Sequence, residues 1–260
     1  MSEPTDSPSP NRAVIQSKAT EGSVICPSCG AESQTVMWEL LEASCNPERA
    51  AQLASGQLLV HGCPQCGTLI PLDYPLFYID RDRKVAAYYP AGQGDLSAIQ
   101  TLFAQASMRF RGIDLPSLRK QEFALRVVPQ RHQLPEKVTA WHMGLDDELL
   151  EVFKASLLRE LQAQNPDLGL ADLQLVGLTG ADSVADPTAK LEFVLFKRKE
   201  GPDGEPEVVP ADAQIALPVE AYRRLARSPE VRVQIDRRRS PVVDAAWAQE
   251  VLTAAEARRQ

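Results

Sequence analysis

Apolar residues recur along this chain with two periods, and each predicts a different element. In "GLDDELLEVFKASLLRELQAQ" the residues Leu149, Leu150, Phe153, Leu157, Leu158 and Leu161 fall on one stripe at helical spacing, which predicts a long amphipathic helix. The same period in "DLSAIQTLFAQASMRFRG" aligns Leu96, Ile99, Leu102, Phe103, Ala106 and Phe110 and predicts a helix packed on a sheet. A shorter helix is expected in "NPERAAQLASG", with Asn46 as N-cap, Pro47 at the first helical position, Glu48 in the first turn and Gly56 as the stop. Elsewhere the apolar runs are short. "TVMWELLEA" and "QLLVHG" read as strands, and so does "TLIPLDYPLFYI", with Pro71 and Pro75 marking an edge or a break. "YIDRDRKVAAYYP" has the form of a hairpin with charged residues at its bend. In "EFALRVV", Phe123, Leu125 and Val127 alternate with polar or small neighbours, as in a half-buried strand that Pro129 ends.

After Asn165 and Pro166 the pattern changes. "LQLVGL", "KLEFVLFKRK", "EVVP" and "AQIAL" are short strands divided by the turn-rich "GADSVADPT" and by "EGPDGEPE", whose Gly and Pro content marks a hairpin tip. Two helices are expected to close the chain: "PVEAYRRLARS", opened by Pro218, and "SPVVDAAWAQEVLTAAEARR", with Ser240 and Pro241 as N-cap and first helical residue. The expected architecture is α+β, with zinc-ribbon-like paired Cys-Pro-x-Cys-Gly turns on a mixed sheet with packed helices, followed by a strand-rich unit. Its divisions are a disordered leader over 1–22, rich in Ser, Pro and Thr, a metal-binding domain over 23–165 and a C-terminal unit over 166–260.

One five-residue motif occurs twice, as "CPSCG" at Cys26 to Gly30 and "CPQCG" at Cys63 to Gly67. A Cys-x-x-Cys turn brings two thiolates within one metal's reach, and two such turns supply Cys26, Cys29, Cys63 and Cys66 as a tetrahedral sulfur set that zinc accepts without penalty. Pro27 and Pro64 fix a backbone angle inside each turn, and Gly30 and Gly67 allow a positive φ just after the second sulfur. There the chain must swing so that backbone N–H groups point at sulfur. Between Cys29 and Cys63 lie 33 residues, more than the roughly 15–20 of a compact ribbon. The helix predicted after Asn46 occupies the excess. Closing so long a loop should make folding of the N-terminal unit depend on the metal.

Two other chemistries compete for the motif. Glutaredoxins use a Cys-Pro-x-Cys turn for thiol exchange, but once and at the start of a helix in a βαβ context. Rubredoxins hold iron between paired Cys-Pro-x-Cys-Gly turns, so iron stands second to zinc. Four sulfurs leave no open coordination position, which makes the expected ion structural and not catalytic. Among the other residues, Cys45 reads as a buried small hydrophobe, and His61 as a neighbour of the metal site and not a ligand. His132 and His142 have no partner at ligand spacing. Asp146, Asp147 and Glu148 suit the first turn of a helix, where acids complement the dipole. No phosphate loop, nucleophile elbow or His-Glu-x-x-His helix is present, and no catalytic constellation is found.

Composition narrows the classes further. With 44% apolar and 24% charged residues the chain is an ordinary globular protein, which excludes global disorder. A net charge of −7 argues against a chain-wide grip on nucleic acid or anionic lipid. A local basic run, Arg237 to Arg239, keeps nucleic acid open as a second partner class. No basic start precedes an apolar core at the N-terminus, and no apolar run approaches 18 residues, so neither a secretory signal nor a membrane span is expected. Five cysteines, four of them in two tight pairs, suit metal binding in a reducing, cytoplasmic compartment.

The two cysteine motifs, together with "AAQLASGQLLVHG", "PLFYIDRDRKVAAYYP" and "RVVPQRHQLPEKVTAWHMGLDDELLEVFK", resemble the CpXC-domain proteins of bacteria and archaea over about residues 23 to 165. The resemblance implies that Cys26, Cys29, Cys63 and Cys66 hold the metal, and it implies no activity. The expected role is that of a non-enzymatic binding module for a protein partner. Nucleic-acid binding through the basic run is the first alternative, and thiol-disulfide or rubredoxin-like redox chemistry the second.

Overall fold

The computed structural model describes residues 15–92, 113–200 and 206–258. The helix expected over residues 95–112 lies outside them. Seven strands build the N-terminal part: β1 (Lys18–Ile25), β2 (Glu32–Glu42), β3 (Val60–Gly62), β4 (Leu69–Pro71), β5 (Leu76–Asp80), β6 (Val85–Tyr89) and β7 (Ala124–Val127). Five form a mixed sheet in the order β1-β2-β5-β6-β7, parallel at β2–β5 and β6–β7, while β3 and β4 make a separate hairpin. Three helices accompany them: α1 (Pro47–Ala54), α2 (Leu115–Lys120) and α3 (Gln133–His142).

Every residue of β5 and β6 is buried, because the sheet is covered on both faces. Leu41, Tyr78 and Ala87 pack with Leu53 of α1 and with Leu134, Val138 and Trp141 of α3. Phe77, Ile79, Ala86 and Tyr88 pack on the opposite side with Leu115 and Leu118 of α2. A strand between two layers must be apolar at successive positions, so its sequence reads as a continuous run and not as alternation. The same covering extends to the end of β7. Phe123, Leu125 and Val127 share one layer as expected, but the strand is not open on its other side at its end: Arg126 is only 7% exposed, and Val128, just past the strand, enters the other layer.

The C-terminal part contains β8 (Leu170–Thr179), β9 (Lys190–Glu200) and β10 (Pro206–Pro218), antiparallel in the order β10-β9-β8. Four helices complete the described residues: α4 (Asp147–Gln164), α5 (Val219–Ala226), α6 (Pro229–Arg237) and α7 (Ala245–Glu256). With seven helices, a mixed sheet and an antiparallel sheet, the fold is α+β. Leu149, Leu150 and Phe153 of α4 pack against Leu173, Leu175 and Phe193 of the three-stranded sheet, together with Tyr222, Val231 and Val251. The helix that precedes the change of pattern at Asn165 thus shares a core with the strands that follow it.

Several boundaries differ from the sequence reading. β1 begins at Lys18, inside the stretch assigned to a leader, because its polar backbone pairs with β2 from Leu40 to Glu32. The apolar run after α1 opens as a 3-10 turn over Gln57–Leu59 before the three residues of β3, since Gly56 at φ 76° swings Leu58 and Leu59 into the core. Helix α3 was not foreseen, although Leu134, Val138 and Trp141 share a face; Pro135 in its first turn hid the period. Three helices close the chain instead of two. Ser228 and Pro229 start α6, and α7 begins at Ala245 with the Asp244 carboxylate accepting from Trp247 N at 2.9 Å, not at Ser240. The residues between them are needed elsewhere. The Pro241 carbonyl accepts from Val127 N at 2.8 Å and Val242 packs on the sheet, which covers the β7 edge.

Where the two parts meet, charges are buried in pairs. The Asp147 carboxylate accepts from Arg126 Nε at 2.7 Å and Nη2 at 3.0 Å, and Lys137 Nζ lies 3.2 Å away. Burial alone would raise the Asp147 pKa, but Arg126 and Lys137 hold it well below the usual carboxylate range. Beside this cluster, Lys154 Nζ donates to Glu136 at 2.8 Å and to Glu151 at 3.3 Å, while the second Glu136 oxygen accepts from Leu175 N at 2.7 Å. Two carboxyls share one ammonium there. Burial, with the Glu151 charge adding to it, outweighs Lys154 and pushes Glu136 up to about 7. Lys154, facing both acids, is held above its ordinary range despite its own burial.

Candidate metal centre

Each cysteine motif forms the tip of a hairpin. The first joins β1 to β2 and the second joins β3 to β4, and the two turns have the same hydrogen bonds. Gly30 N donates to the Cys26 carbonyl and Gly67 N to the Cys63 carbonyl, both at 2.9 Å. Cys26 N donates to Ala31 O and Cys63 N to Thr68 O, again at 2.9 Å. Gly30 and Gly67 have φ of 72° and 74°, and a Cβ built on either would meet nothing within 4 Å. Glycine is therefore required by the backbone angle and not by crowding.

The β1–β2 ribbon carries its tip well clear of the main sheet, since only Leu40 to Glu42 of β2 pair with β5. The β3–β4 hairpin returns beside it. There Ser33 Oγ and His61 Nε2 lie 2.8 Å apart, joining the root of one turn to the root of the other. His61 is thus a brace between hairpins, and it is not among the clustered ligand atoms.

Across the tips, the sulfurs of Cys26, Cys29, Cys63 and Cys66 all lie within 4.8 Å of one another. Two contacts cross from turn to turn: Cys26 Sγ to Cys66 Sγ at 3.6 Å, and Cys29 Sγ to Cys63 Sγ at 3.7 Å. Around a tetrahedral ion with metal–sulfur bonds of about 2.3 Å, neighbouring sulfurs stand about 3.8 Å apart. The four thiols thus match, in number, type and spacing, what a metal ion of this kind requires. The first cysteine of each turn is buried, with Ile70 against it, and the second is exposed.

The sulfurs are not equivalent. The Cys29 N–H, and then the Ser28 N–H, favour the Cys26 thiolate and lower its pKa. Cys66 is drawn down to about 6 by the Thr68 hydroxyl, 3.1 Å from its sulfur, and then by the Thr68 N–H. In the first turn the matching residue is Ala31, which offers Cys29 a backbone N–H and no hydroxyl. Against that one donor, the sulfur of Cys66, burial and the remaining sulfurs push Cys29 up to about 12. Four thiolates this close repel one another, and a dication among them removes the repulsion. Thr68 and Ser33 were not singled out from the sequence. The only available signal for Thr68 was its place directly after Gly67.

The remaining candidates do not join the cluster. Cys45 is exposed, which corrects the expectation of a buried hydrophobe: the Glu42 carboxylate captures its N–H at 2.6 Å and holds the turn at the surface. The same carboxylate, through its hydrogen bond and charge, raises the Cys45 pKa and keeps the thiol protonated. His142 Nε2 lies 3.1 Å from Tyr78 Oη, and His132 Nε2 lies 4.0 Å from Asp172. The three acids at the start of α4 separate: Asp146 caps the helix through Glu148 N and Leu149 N, Asp147 turns inward, and Glu148 meets Arg126 at 3.1 Å. In the basic run, Arg237 and Arg239 are exposed, whereas Arg238 bonds Gln234 and its carbonyl accepts from Trp247 Nε1 at 2.8 Å. No helix among the described residues is long and apolar enough to cross a membrane.

A family model described as "CpXC protein" matches residues 24–154, which span both cysteine turns and end within α4. No curated protein and no solved structure matches the chain.

Proposed function

The chain belongs to the CpXC protein family, and from that premise we propose a non-enzymatic protein-interaction module of the cytoplasm, built around a structural four-thiolate zinc site. The observation that carries this reading is the surface of the two hairpins that one ion would join. Ile25 and Leu69, beside the cysteine turns, are 69% and 71% exposed, and Val36 and Val60 farther along the same hairpins are 49% and 39% exposed. Large apolar side chains left exposed on two hairpins held together at their tips are what a protein partner covers. Among the described residues β1 is also the end strand of its sheet, which offers an edge to an added strand. Zinc supports this role by fixing the two tips at one geometry, and four thiolates leave it no position for a substrate or water.

The test begins with metal content and a thiol count on protein purified under reductant. One zinc per chain, with Cys26, Cys29, Cys63 and Cys66 shielded until chelation, is the expected result. A stoichiometric iron centre would move the reading to electron transfer, and a reversible disulfide at either turn to thiol exchange. The interaction is tested with a photocrosslinker at Val36: adducts should depend on metal and vanish in Ile25→Ser/Leu69→Ser. Crosslinking that persists after chelation refutes the module. Salt-sensitive retention on nucleic acid, abolished by neutralising Arg237 and Arg239, would favour the basic run instead.

A further inference from the structure

The four sulfurs divide by exposure. Cys26 and Cys63 are 1% and 3% exposed and cluster with Ile70, whereas Cys29 and Cys66 are exposed. Both contacts that cross from turn to turn join one sulfur of each kind: Cys66 to Cys26 at 3.6 Å and Cys29 to Cys63 at 3.7 Å. An oxidant dissolved in water therefore reaches one member of each pair and not the other. A disulfide bond is about 2.05 Å long, so each pair has only about 1.6 Å to close. Two features hold the hairpins side by side without any bond to sulfur. One is the 2.8 Å contact between Ser33 Oγ and His61 Nε2 at their roots, and the other is the small apolar cluster of Ile70 from one hairpin with Val24 and Ala31 from the other.

We infer that Cys29 and Cys66 are the points of attack for hydrogen peroxide, and that oxidation closes two disulfides, Cys26–Cys66 and Cys29–Cys63, that cross from hairpin to hairpin. The exposed Cys66 thiolate attacks one peroxide oxygen, the O–O bond breaks, and hydroxide departs, leaving Cys66 as the sulfenic acid. The Cys26 thiolate then attacks that sulfur, the S–S bond forms, and the S–O bond breaks to release a second hydroxide. Two protons from solvent turn both hydroxides into water, so each disulfide reduces one peroxide by two electrons. Cys29 and Cys63 react in the same way with a second peroxide. Because the resolving sulfur is buried, it stays reduced until the sulfenic acid forms beside it, which diverts the exposed sulfur from the irreversible sulfinic acid. With all four thiolates consumed, no thiolate remains to hold a metal ion. The joining of the hairpins then passes to the two disulfides. They link residues 40 and 34 positions apart, and so constrain the unfolded chain far more than bonds within a Cys-x-x-Cys turn would. This rests on the four-thiolate joint proposed above and adds its response to oxidant: chelation parts the tips, whereas oxidation expels the metal and keeps them joined.

The experiment uses the full, metal-loaded chain. Metal content before any oxidant tests the four-thiolate site itself, and the products formed after oxidant test the inference. Hydrogen peroxide is added in small excess, metal release is followed with a chromogenic chelator, and the remaining thiols are alkylated before cleavage by trypsin without reductant. Cleavage after Lys18, Arg49 and Arg81 leaves Cys26, Cys29 and Cys45 in one peptide and Cys63 and Cys66 in the next. The expected product is residues 19–49 joined to 50–81 and separable by reductant, with four of the five thiols lost and Cys45 alkylated. Fragmentation should place the bonds at Cys26–Cys66 and Cys29–Cys63. The oxidised, metal-free chain should also melt roughly 5 °C or more above the reduced, metal-free chain, and fall back to it when reductant is added. Separate peptides carrying Cys26–Cys29 and Cys63–Cys66 bonds overturn the cross-turn assignment. Sulfinic acid at Cys29 or Cys66 in place of a disulfide, or four thiols that stay unreacted while the metal is retained, overturns the proposal. An oxidised chain that melts no higher than the reduced, metal-free one overturns the claim that the disulfides take over the joint.

Discussion

Replacing Asp147 by Asn should be among the most damaging single changes outside the metal centre. The carboxylate is 4% exposed and receives two bonds from Arg126 and one contact from Lys137, both themselves buried. As built, Arg126 and Lys137 are balanced by Asp147 and Glu148, and the substitution leaves two cations facing one acid. Removing one partner of a buried pair costs about 3–5 kcal/mol, because the charge left behind has lost its water as well as its counterion. Even the lower figure is a factor of more than about 100 in the folding equilibrium. The assay is denaturant unfolding at a fixed free concentration of whichever metal co-purifies, which keeps metal loss out of the comparison, with Asp147→Asn, Arg126→Met and the double variant as a cycle. The double variant, which removes both charges, should lie closer to the parent than the sum of the singles, with a coupling of about 1–3 kcal/mol. A loss below about 1 kcal/mol for Asp147→Asn, or strict additivity, refutes the argument that this pair carries the junction between β7 and α4.

Two further outcomes follow from named groups. Gly30→Ala and Gly67→Ala should each weaken metal retention by about 1–2 kcal/mol, the penalty of the left-handed backbone, without steric damage, since open space surrounds both Cβ positions; competition with a chelator measures this, and an unchanged metal affinity contradicts it. For Glu136, raised from 4.5 to about 7 by burial, the folded state holds a proton that the unfolded state releases. Stability should therefore fall as pH rises from about 4.5 to 7, by up to roughly 3 kcal/mol, and level off above. Glu136→Gln should remove that slope, and denaturation midpoints at pH 5 and pH 7.5 that change equally in both proteins would contradict it.

How much was legible beforehand differs between the elements. The four-cysteine cluster was legible almost whole, because its geometry is local: Cys-Pro-x-Cys-Gly fixes each turn within five residues, and Gly30 and Gly67 adopt the positive φ that the motif demands. The spacing from Cys29 to Cys63 likewise announced an inserted element, and α1 fills it. Helical period located α4, and the turn-rich segments around β8 and β9 marked off those strands.

What the sequence could not supply depends on residues far apart in the chain. Arg126 looks like the polar position of an alternating strand, and its burial follows only from Asp147, 21 residues later, standing opposite it. Nothing in "SPVVD" shows that the stretch must stay extended, because the demand comes from the open edge of β7, which the Pro241 carbonyl satisfies. Cys45 reads as apolar, yet the Glu42 carboxylate holds its turn at the surface. Sequence by itself determined the turns, whose energetics close within a few residues. Tertiary structure decided which polar groups would be buried and with what partner, because that balance of desolvation and pairing is struck only where distant segments meet.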